Sequence, residues 1–240
     1  MPGDGTLDVR IDAKAFAVPG SAPQTVLRDV GFAAFPGEIL ALLGHSGSGK
    51  STVLRIALGL DRDFAGRVRM PRGRIGVVFQ EPRLLAWLTL AENIRLVLTD
   101  GVPVPDVADL LDMVGLPGVA DRLPSELSLG MARRVALARA LAVDPDTLVL
   151  DEPFASLDRR LAAALAVLVA ERARRRHAIV LLATHELEHA LAIADRILVL
   201  AGHPATLAAD VTVPDRADPR ALDALRDALL ERFAFLGTDA

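Results

Sequence analysis

The sequence predicts an α/β fold in which helices cover a parallel sheet, with an antiparallel β subdomain at the N-terminus and an inserted α-helical lobe. Short apolar runs recur along the chain, and each leads into a loop and then a helical pattern, as in parallel α/β proteins. Hydrophobic residues make up 52% of the 240 residues and aromatic residues only 4%. An aliphatic core of this kind suits a sheet that is buried on both faces.

The predicted elements follow in order along the chain. Extended segments at residues 7–11 and 30–35, joined by a Pro19-Gly20 turn, are typical of an antiparallel pair. The runs expected in the parallel sheet lie at residues 38–43, 75–79, 147–151, 178–183 and 196–200. Residues 81–143 are helix-rich, and residues 220–235 form a last predicted helix. We expect one domain over residues 1–240, with a core at 1–80 and 144–240 and a helical lobe at 81–143.

Composition and charge exclude several classes of protein. The chain has no cysteine, which excludes disulfides and Cys-based metal sites. The net charge is -4 and no basic tract is present, so we expect no nucleic-acid partner. The first six residues lack the features of a signal peptide, and the richest apolar stretch, residues 161–170, is too short to span a bilayer. We therefore expect any membrane role to depend on a partner.

Residues 44–51, Gly-His-Ser-Gly-Ser-Gly-Lys-Ser, match the phosphate-binding pattern G-x-x-x-x-G-K-[ST]. The segment follows a predicted strand and opens a predicted helix, which is the context that the pattern requires, and it predicts a P-loop NTPase core of the RecA-like type. Glycines let backbone N–H groups surround phosphates, the lysine reaches the β and γ phosphates, and the final serine ligates Mg²⁺. The predicted ATP-binding residues here are Gly44, His45, Ser46, Gly47, Ser48, Gly49, Lys50, Ser51 and Thr52.

Two carboxylates end the predicted strand at residues 147–151. Asp151 and Glu152 lie at the carboxyl end, the edge at which open α/β sheets bind ligands. We expect Asp151 to hold Mg²⁺ through water and Glu152 to accept a proton from the water that attacks the γ-phosphate. An acidic turn before Pro153 is the simpler interpretation of the pair alone, but the P-loop upstream favours the catalytic one.

Residues 126–131, Glu-Leu-Ser-Leu-Gly-Met, resemble the Leu-Ser-Gly-Gly-Gln signature of ATP-binding cassette (ABC) ATPases. In the same family pattern, Gln80 matches the glutamine that joins the core to the helical lobe and contributes to the metal site. Asp158 matches the loop after the catalytic glutamate, His185 matches the switch histidine, and Phe16 matches the aromatic ring that stacks on adenine. The resemblance covers roughly residues 7–200. It implies an ATPase that uses ATP and Mg²⁺, with Lys50, Glu152 and His185 in catalysis.

The resemblance also implies a second ATPase subunit. In the family, two cassettes form a head-to-tail dimer in which the signature of one contacts the γ-phosphate held by the P-loop of the other. Ser128 and Gly130 would make this contact, and Ser128 is in addition a good helix N-cap. The sequence departs from the pattern at Leu129 and Met131, where glycine and glutamine are usual. We expect a homodimer whose ATP binding and hydrolysis survive this departure.

Residues 79–94 resemble the corresponding stretch of nitrate, sulfonate and taurine importer ATPases. This resemblance implies integral membrane permease subunits, a periplasmic or extracellular solute-binding protein, and a peripheral position at the cytoplasmic face of the cell membrane. Leu84, Leu85 and Trp87 are candidates for a groove that receives a short permease helix. Burial of these three side chains in the core of the helical lobe is an equally good interpretation, because clusters of leucine and tryptophan commonly belong to a protein core.

Other functions remain open at this point. His185-Glu-Leu-Glu-His189 matches the zinc-peptidase pattern H-E-x-x-H, although Ala192 and Asp195 replace the further residues of its longer form. We expect His185 in a loop after a strand, and His189, His177 and His203 at the surface. A regulatory module that binds ATP without turning it over is a second alternative, to which only Leu129 points. An ABC ATPase that acts in DNA repair or translation is a third alternative. The absence of long inserts disfavours it.

Overall fold

The computed structural model describes residues 5–17, 19–20, 22–98 and 106–237. The described residues divide into two compact units. The first unit contains the residues up to Arg72 and those from Ile179 onward, and the second contains Gly73–Ala178. The predicted helical lobe, residues 81–143, lies within the second unit, and part of it, residues 99–105, falls outside the described residues. Its boundaries stay a prediction.

Strands and helices alternate along most of the described chain. The strands are β1 (Leu7–Phe16), β2 (Gln24–Ala34), β3 (Ile39–Leu43), β4 (Ala65–Arg69), β5 (Ile75–Val78), β6 (Thr147–Asp151), β7 (Ile179–Thr184), β8 (Arg196–Ala201) and β9 (Thr206–Thr212). The helices are α1 (Lys50–Ala57), α2 (Leu90–Arg95), α3 (Val107–Met113), α4 (Leu129–Ala142), α5 (Arg159–Arg176), α6 (Leu187–Ile193) and α7 (Pro219–Arg232). Single 3-10 turns lie at Pro124–Glu126 and Ala234–Leu236.

The first unit begins with an antiparallel sheet in the order β2-β1-β4. Val9 pairs with Phe32 on one side and with Val68 on the other. Leu7, Val9 and Ile11 are buried in alternation, because successive side chains of a strand point to opposite faces. The predicted antiparallel pair is therefore confirmed, although β1 continues to Phe16, five residues beyond its predicted end at Ile11.

A second set of strands in the first unit has the order β7-β3-β8-β9. β3 lies parallel to both β7 and β8, whereas β9 is antiparallel to β8. All residues of β3 and β7 are buried, which explains why their sequences read as continuous apolar runs. Helix α1 packs against β7. The predicted parallel strands at 38–43, 178–183 and 196–200 are confirmed within one or two residues.

The second unit pairs β5 with β6 in parallel and places helices α2 to α5 around them. Helix α4 packs against β5, α2 and α3. It buries Val135, Ala138 and Ala142, while Met131 at its start is half-buried. The predicted strands at 75–79 and 147–151 are confirmed, and with them the α/β fold class.

No helix among the described residues is both long enough and apolar enough to cross a membrane.

Candidate functional site

The P-loop curls between β3 and α1, and two of its glycines cannot carry a side chain. A Cβ at Gly44 would lie 2.4 Å from Ser48 Oγ and 3.0 Å from the Leu200 carbonyl oxygen. At Gly49, φ is +90° and a Cβ would lie 2.7 Å from Leu27 Cδ2. The Ser48 N–H donates to the His45 carbonyl at 3.1 Å, which closes the turn. The loop thus has the close backbone approach that phosphate binding needs.

Lys50 places a positive charge inside this loop. Its side chain is buried, and Nζ donates to the carbonyl oxygens of Gly44 at 2.7 Å and His45 at 3.2 Å. Lys50 is also the first residue of α1, so the helix N-terminus and the ammonium favour an anion at the same place. Ser51 and Thr52 follow in the first turn and are half-buried. These residues fit the phosphates of a nucleotide.

The side chain of His45 makes contacts that the pattern did not predict. Its ring lies edge-on to Phe235, with centroids 5.8 Å apart, and Nδ1 is 2.6 Å from the Ser46 carbonyl oxygen. His203 also approaches it, at a centroid distance of 6.4 Å. These contacts show that the C-terminal segment packs against the loop.

His185 lies at the same edge of the first unit as the P-loop. Leu43 at the end of β3 pairs with Thr184 at the end of β7, and both strands run parallel. Gly44 and His185 are the next residues of the two strands. The parallel pairing therefore brings the P-loop and the predicted switch histidine to neighbouring positions, and the expected loop position of His185 is confirmed.

The second unit repeats this arrangement with Gln80, Asp151 and Glu152. Val78 at the end of β5 pairs with Leu150 in β6, so Gln80 and the two acidic residues follow adjacent parallel strand ends. Asp151 is 7% exposed, whereas Gln80 is exposed and Glu152 half-buried. The backbone of Glu152 has φ of 49°, in the left-handed region that residues other than glycine rarely adopt. Such backbone strain concentrates at functional sites.

The signature segment forms the start of helix α4. Ser128 is its N-cap, and its Oγ accepts a hydrogen bond from the Met131 N–H at 3.2 Å, as predicted. The Leu129 side chain is 54% exposed. A Cβ at Gly130 would lie 3.3 Å from Leu157 Cδ2, so this glycine permits close packing on the loop before α5. The side chain that departs most from the family pattern therefore lies at the surface.

The loop before α5 is held from both sides. Asp158 is the N-cap of α5 and accepts from the Leu161 N–H at 3.0 Å. Arg133 Nη1 of helix α4 donates to the Ala155 carbonyl oxygen. Arg133 was not among the predicted site residues, because nothing in a basic helical surface residue indicates a partner 22 positions away. It ties the signature helix to the loop that contains Asp158.

The H-E-x-x-H pattern does not form a metal site of the peptidase type. Helix α6 begins at Leu187 with Glu186 as its N-cap, so His185 precedes the helix and does not share a helical face with His189. The His189 side chain is only 12% exposed and lies 3.5 Å from Glu186, so its predicted surface position was wrong. His177 and His203 are exposed as predicted. The described residues contain no cluster of three or more His, Cys, Asp or Glu side chains that could hold a metal ion.

Phe16, the predicted adenine-stacking residue, is the last residue of β1 and is 45% exposed. The ammonium of Lys14 lies 4.6 Å from the centroid of its ring. Lys14 was not predicted as a site residue. The alternation of the strand places Lys14 with the polar residues Asp8, Arg10 and Asp12, so no sequence signal indicated its burial.

The segment after Gln80 presents an aromatic side chain to solvent. Trp87 is 74% exposed, and Leu84 and Leu85 are half-buried. The core interpretation was therefore wrong for Trp87. In the same unit an apolar groove of about 300 Å³ is lined by Ile75, Gly76, Val77, Phe79, Arg83, Val97, Arg139, Ala140 and Val143. Arg139 donates to the carbonyl oxygens of Pro82 and Arg83, both at 2.8 Å, and so fixes one wall of the groove.

Asn93 holds the loop that carries Trp87. It is fully buried, its Oδ1 accepts from the Leu85 N–H at 2.7 Å, and its Nδ2 donates to three carbonyl oxygens. These acceptors are Leu85 at 3.1 Å, Leu88 at 3.1 Å and Thr89 at 3.0 Å. One amide thus satisfies several backbone groups of a segment that has no regular structure.

Replacing Asn93 with leucine should lower the free energy of unfolding by about 3 kcal/mol, because it leaves these backbone groups without their partner. Urea unfolding followed by circular dichroism measures the loss. Trp87 is the single tryptophan of the chain, so its fluorescence reports the order of the loop directly. Arg95→Ala, exposed on the same helix, serves as control and should change neither signal. Unchanged stability in Asn93→Leu would show that the network is not stabilising.

Comparisons with known proteins agree with the geometry. The family model described as ABC transporter matches residues 27–155. An aliphatic sulfonates import ATP-binding protein, SsuB 2 of Pseudomonas syringae pv. tomato, is 43% identical over 230 residues, which cover 94% of this chain and 97% of the relative. SsuB 2 of Burkholderia lata is 43% identical over 240 residues, covering 95% of this chain and 86% of the relative. A dimeric ATP-binding cassette in a post-hydrolysis state, bound to ADP and Pi, aligns with a TM-score of 0.79 at 27% identity, covering 87% of this chain and 99% of that one.

Proposed function

Because the chain belongs to the ABC transporter family and is the ATP-hydrolysing subunit of an importer, we propose that it drives the uptake of aliphatic sulfonates. The observation that carries this proposal is the 43% identity to an aliphatic sulfonate import ATPase over 94% of the chain. The alignments cover 97% and 86% of the two relatives, so the comparison extends over most of each relative. Small sulfonate anions agree with the nitrate, sulfonate and taurine class that residues 79–94 resemble.

We propose that the strand-end residues predicted from the sequence bind and hydrolyse ATP. Lys50 and the backbone of residues 44–49 bind the phosphates, while Ser51, Gln80 and Asp151 provide the oxygen donors that Mg²⁺ prefers. Mg²⁺, when bound, neutralises charge on the phosphate oxygens. Glu152 accepts the proton of the attacking water, and His185 holds that water and the γ-phosphate. The buried ammonium of Lys50 and the strained backbone of Glu152 support these roles.

We further propose that two copies of the chain bind two ATP molecules between them. Ser128 and Gly130 of one copy approach the γ-phosphate held by the other, and Asp158 lies in the loop next to this contact. Dimeric cassettes with a TM-score of 0.79 to this chain support the assembly. The exposed side chain of Leu129 supports tolerance of the altered signature, since a leucine that points to solvent leaves the N–H groups at the start of α4 accessible.

Coupling to transport requires a permease, for which we propose the apolar groove and the Trp87 loop as the docking surface. An exposed tryptophan is typical of a protein interface, because large aromatic side chains dominate binding energy, and the apolar groove in the same unit offers further contact area. Such docking places the subunit at the cytoplasmic face of the cell membrane, with a solute-binding protein on the opposite side.

Replacing Trp87 with alanine should reduce stimulation of ATP hydrolysis by the permease about 30-fold, the effect of losing an aromatic anchor. Hydrolysis by the isolated subunit should be unchanged. Turnover is measured with and without detergent-solubilised permease from the same host. Val167→Ala is the matched control, because Val167 is 52% exposed on helix α5. Equal stimulation of both variants would contradict the docking surface.

The proposed substrate is tested by growth. Deletion of the gene from its host should abolish growth on ethanesulfonate as sole sulfur source and leave growth on sulfate intact. The wild-type gene should restore growth, whereas Glu152→Gln should not. Undiminished growth of the deletion strain on ethanesulfonate would overturn the sulfonate assignment without affecting the ATPase assignment.

A further inference from the structure

We propose that Lys14 is a positioning residue for the base of ATP, because its buried ammonium orients the ring of Phe16. The inference rests on the proposed function in one respect, namely that Phe16 stacks on adenine. It assigns to Lys14, Asp61 and Asp63 a role in nucleotide recognition although none of them belongs to the P-loop or to the signature.

The first observation is the burial of a charge. The Lys14 side chain is 2% exposed, and burial of an ammonium is unfavourable unless it is paired. Its Nζ donates to Asp61 Oδ1 at 2.9 Å and to the Asp63 carbonyl oxygen at 2.6 Å, and lies 3.6 Å from Asp63 Oδ2. Asp61 is itself only 14% exposed. Several short contacts in a buried site hold the ammonium in one position.

The second observation is the place of that ammonium relative to Phe16. Nζ lies 4.6 Å from the ring centroid, which is within the range of a cation–π interaction. The register of β1 against β2 shifts between Lys14 and Ala15, at the end of the strand. Phe16 nevertheless remains 45% exposed, so part of the ring is available to a ligand. A cation over the ring fixes its tilt, and it also draws electron density away, which favours stacking with an electron-rich purine.

The third observation connects this ring to the phosphate loop. Asp61 follows helix α1, and its N–H donates to the Arg55 carbonyl oxygen of that helix at 3.2 Å. Asp61 Oδ1 in addition accepts from the Asp63 N–H at 3.1 Å. Helix α1 begins with Lys50 of the P-loop. The carboxylate that holds Lys14 is therefore anchored to the element that carries the phosphate-binding lysine.

A purely structural ion pair would change the binding of all phosphate ligands alike. A positioning role predicts a selective effect, which a comparison of ATP with inorganic tripolyphosphate detects, because tripolyphosphate lacks the base. Both affinities are measured with Mg²⁺ by calorimetry on the full chain. Phe16→Ala should weaken the binding of ATP about 10-fold, which is the size of a lost stacking contact. It should leave the affinity for tripolyphosphate unchanged.

Lys14→Met should weaken the binding of ATP about 5-fold and leave the affinity for tripolyphosphate unchanged. Lys14→Arg should recover part of the lost ATP affinity. The double variant Lys14→Met with Asp61→Asn removes both charges of the pair and leaves the net charge of the site unchanged, and it should show the same selective loss if the single variant does not fold. Arg10→Met, on the same strand in an exposed ion pair with Asp12, is the control and should change neither affinity.

Two outcomes would overturn the positioning role. One is a selective loss of ATP affinity in Phe16→Ala but not in the Lys14 variants, and the other is an equal loss of affinity for both ligands. No selective loss in Phe16→Ala would instead refute the proposed adenine contact.

Discussion

Replacing Glu152 with glutamine should lower the rate of ATP hydrolysis by about 100-fold or more, while ATP affinity stays close to that of the wild type. General-base catalysis contributes about 10²- to 10⁴-fold, and glutamine cannot accept the proton of the attacking water. The substitution keeps the size of the side chain, so the left-handed backbone at this position, with φ of 49°, experiences no new steric demand. In this variant the rate of ATP hydrolysis should therefore fall while ATP binding is retained.

Phosphate release at saturating Mg-ATP measures the rate, and fluorescence of a labelled nucleotide measures the affinity. Glu171→Gln is the control, because Glu171 lies on helix α5 in an exposed ion pair with Arg175, and it should retain full activity. Hydrolysis within a few-fold of the wild type in Glu152→Gln would assign the proton acceptor to another group.

Replacing Lys50 with methionine should weaken ATP binding about 100-fold, because it would remove the proposed charge-assisted hydrogen bonds to the β and γ phosphates. Hydrolysis should become undetectable at nucleotide concentrations that saturate the wild type. The P-loop itself should keep its shape less well, since Lys50 also donates to the carbonyl oxygens of Gly44 and His45.

Calorimetry with ADP and with ATP separates these effects, because loss of the γ-phosphate contact affects ATP more than ADP. Arg55→Met, exposed on the same helix, controls for the loss of a positive charge and should bind normally. Retention of wild-type ATP affinity in Lys50→Met would be incompatible with the phosphate site.

Most of the site that the sequence predicts is carried by local patterns. The P-loop and the Asp151-Glu152 pair each combine a buried strand with residues at its end, so the sequence signal for each lies within a few consecutive residues. Their strand-end positions follow from the parallel pairing of β3 with β7 and of β5 with β6. The alternation of apolar runs and helices predicted a parallel sheet but not which of its strands are neighbours.

Residues with distant partners escaped prediction. Lys14 meets Asp61 across 47 positions and Arg133 meets Ala155 across 22. Asn93 bonds within its own neighbourhood, but a single asparagine in a helical pattern gives no sign of full burial. The environment of these polar side chains depends on packing between elements, which periodicity does not describe.

For Trp87 the sequence left two environments open, and for His189 the expected environment was wrong. Tryptophan in an apolar sequence favours a core position, yet Trp87 is 74% exposed because the Asn93 network holds its loop outside regular structure. His189 was expected at the surface, but its position on helix α6 leaves it only 12% exposed.

The central claim, that the chain works as an ATP-dependent pair with a composite site, is tested most directly by light scattering on Glu152→Gln with and without Mg-ATP. A monomer that becomes a dimer only with Mg-ATP, and stays a monomer when Ser128→Arg is added, is the expected result. The arginine would place a bulky side chain at the N-cap of helix α4, where the partner's γ-phosphate is proposed to bind. A protein that binds Mg-ATP and remains monomeric, or one whose dimer is indifferent to Ser128→Arg, would contradict the composite site.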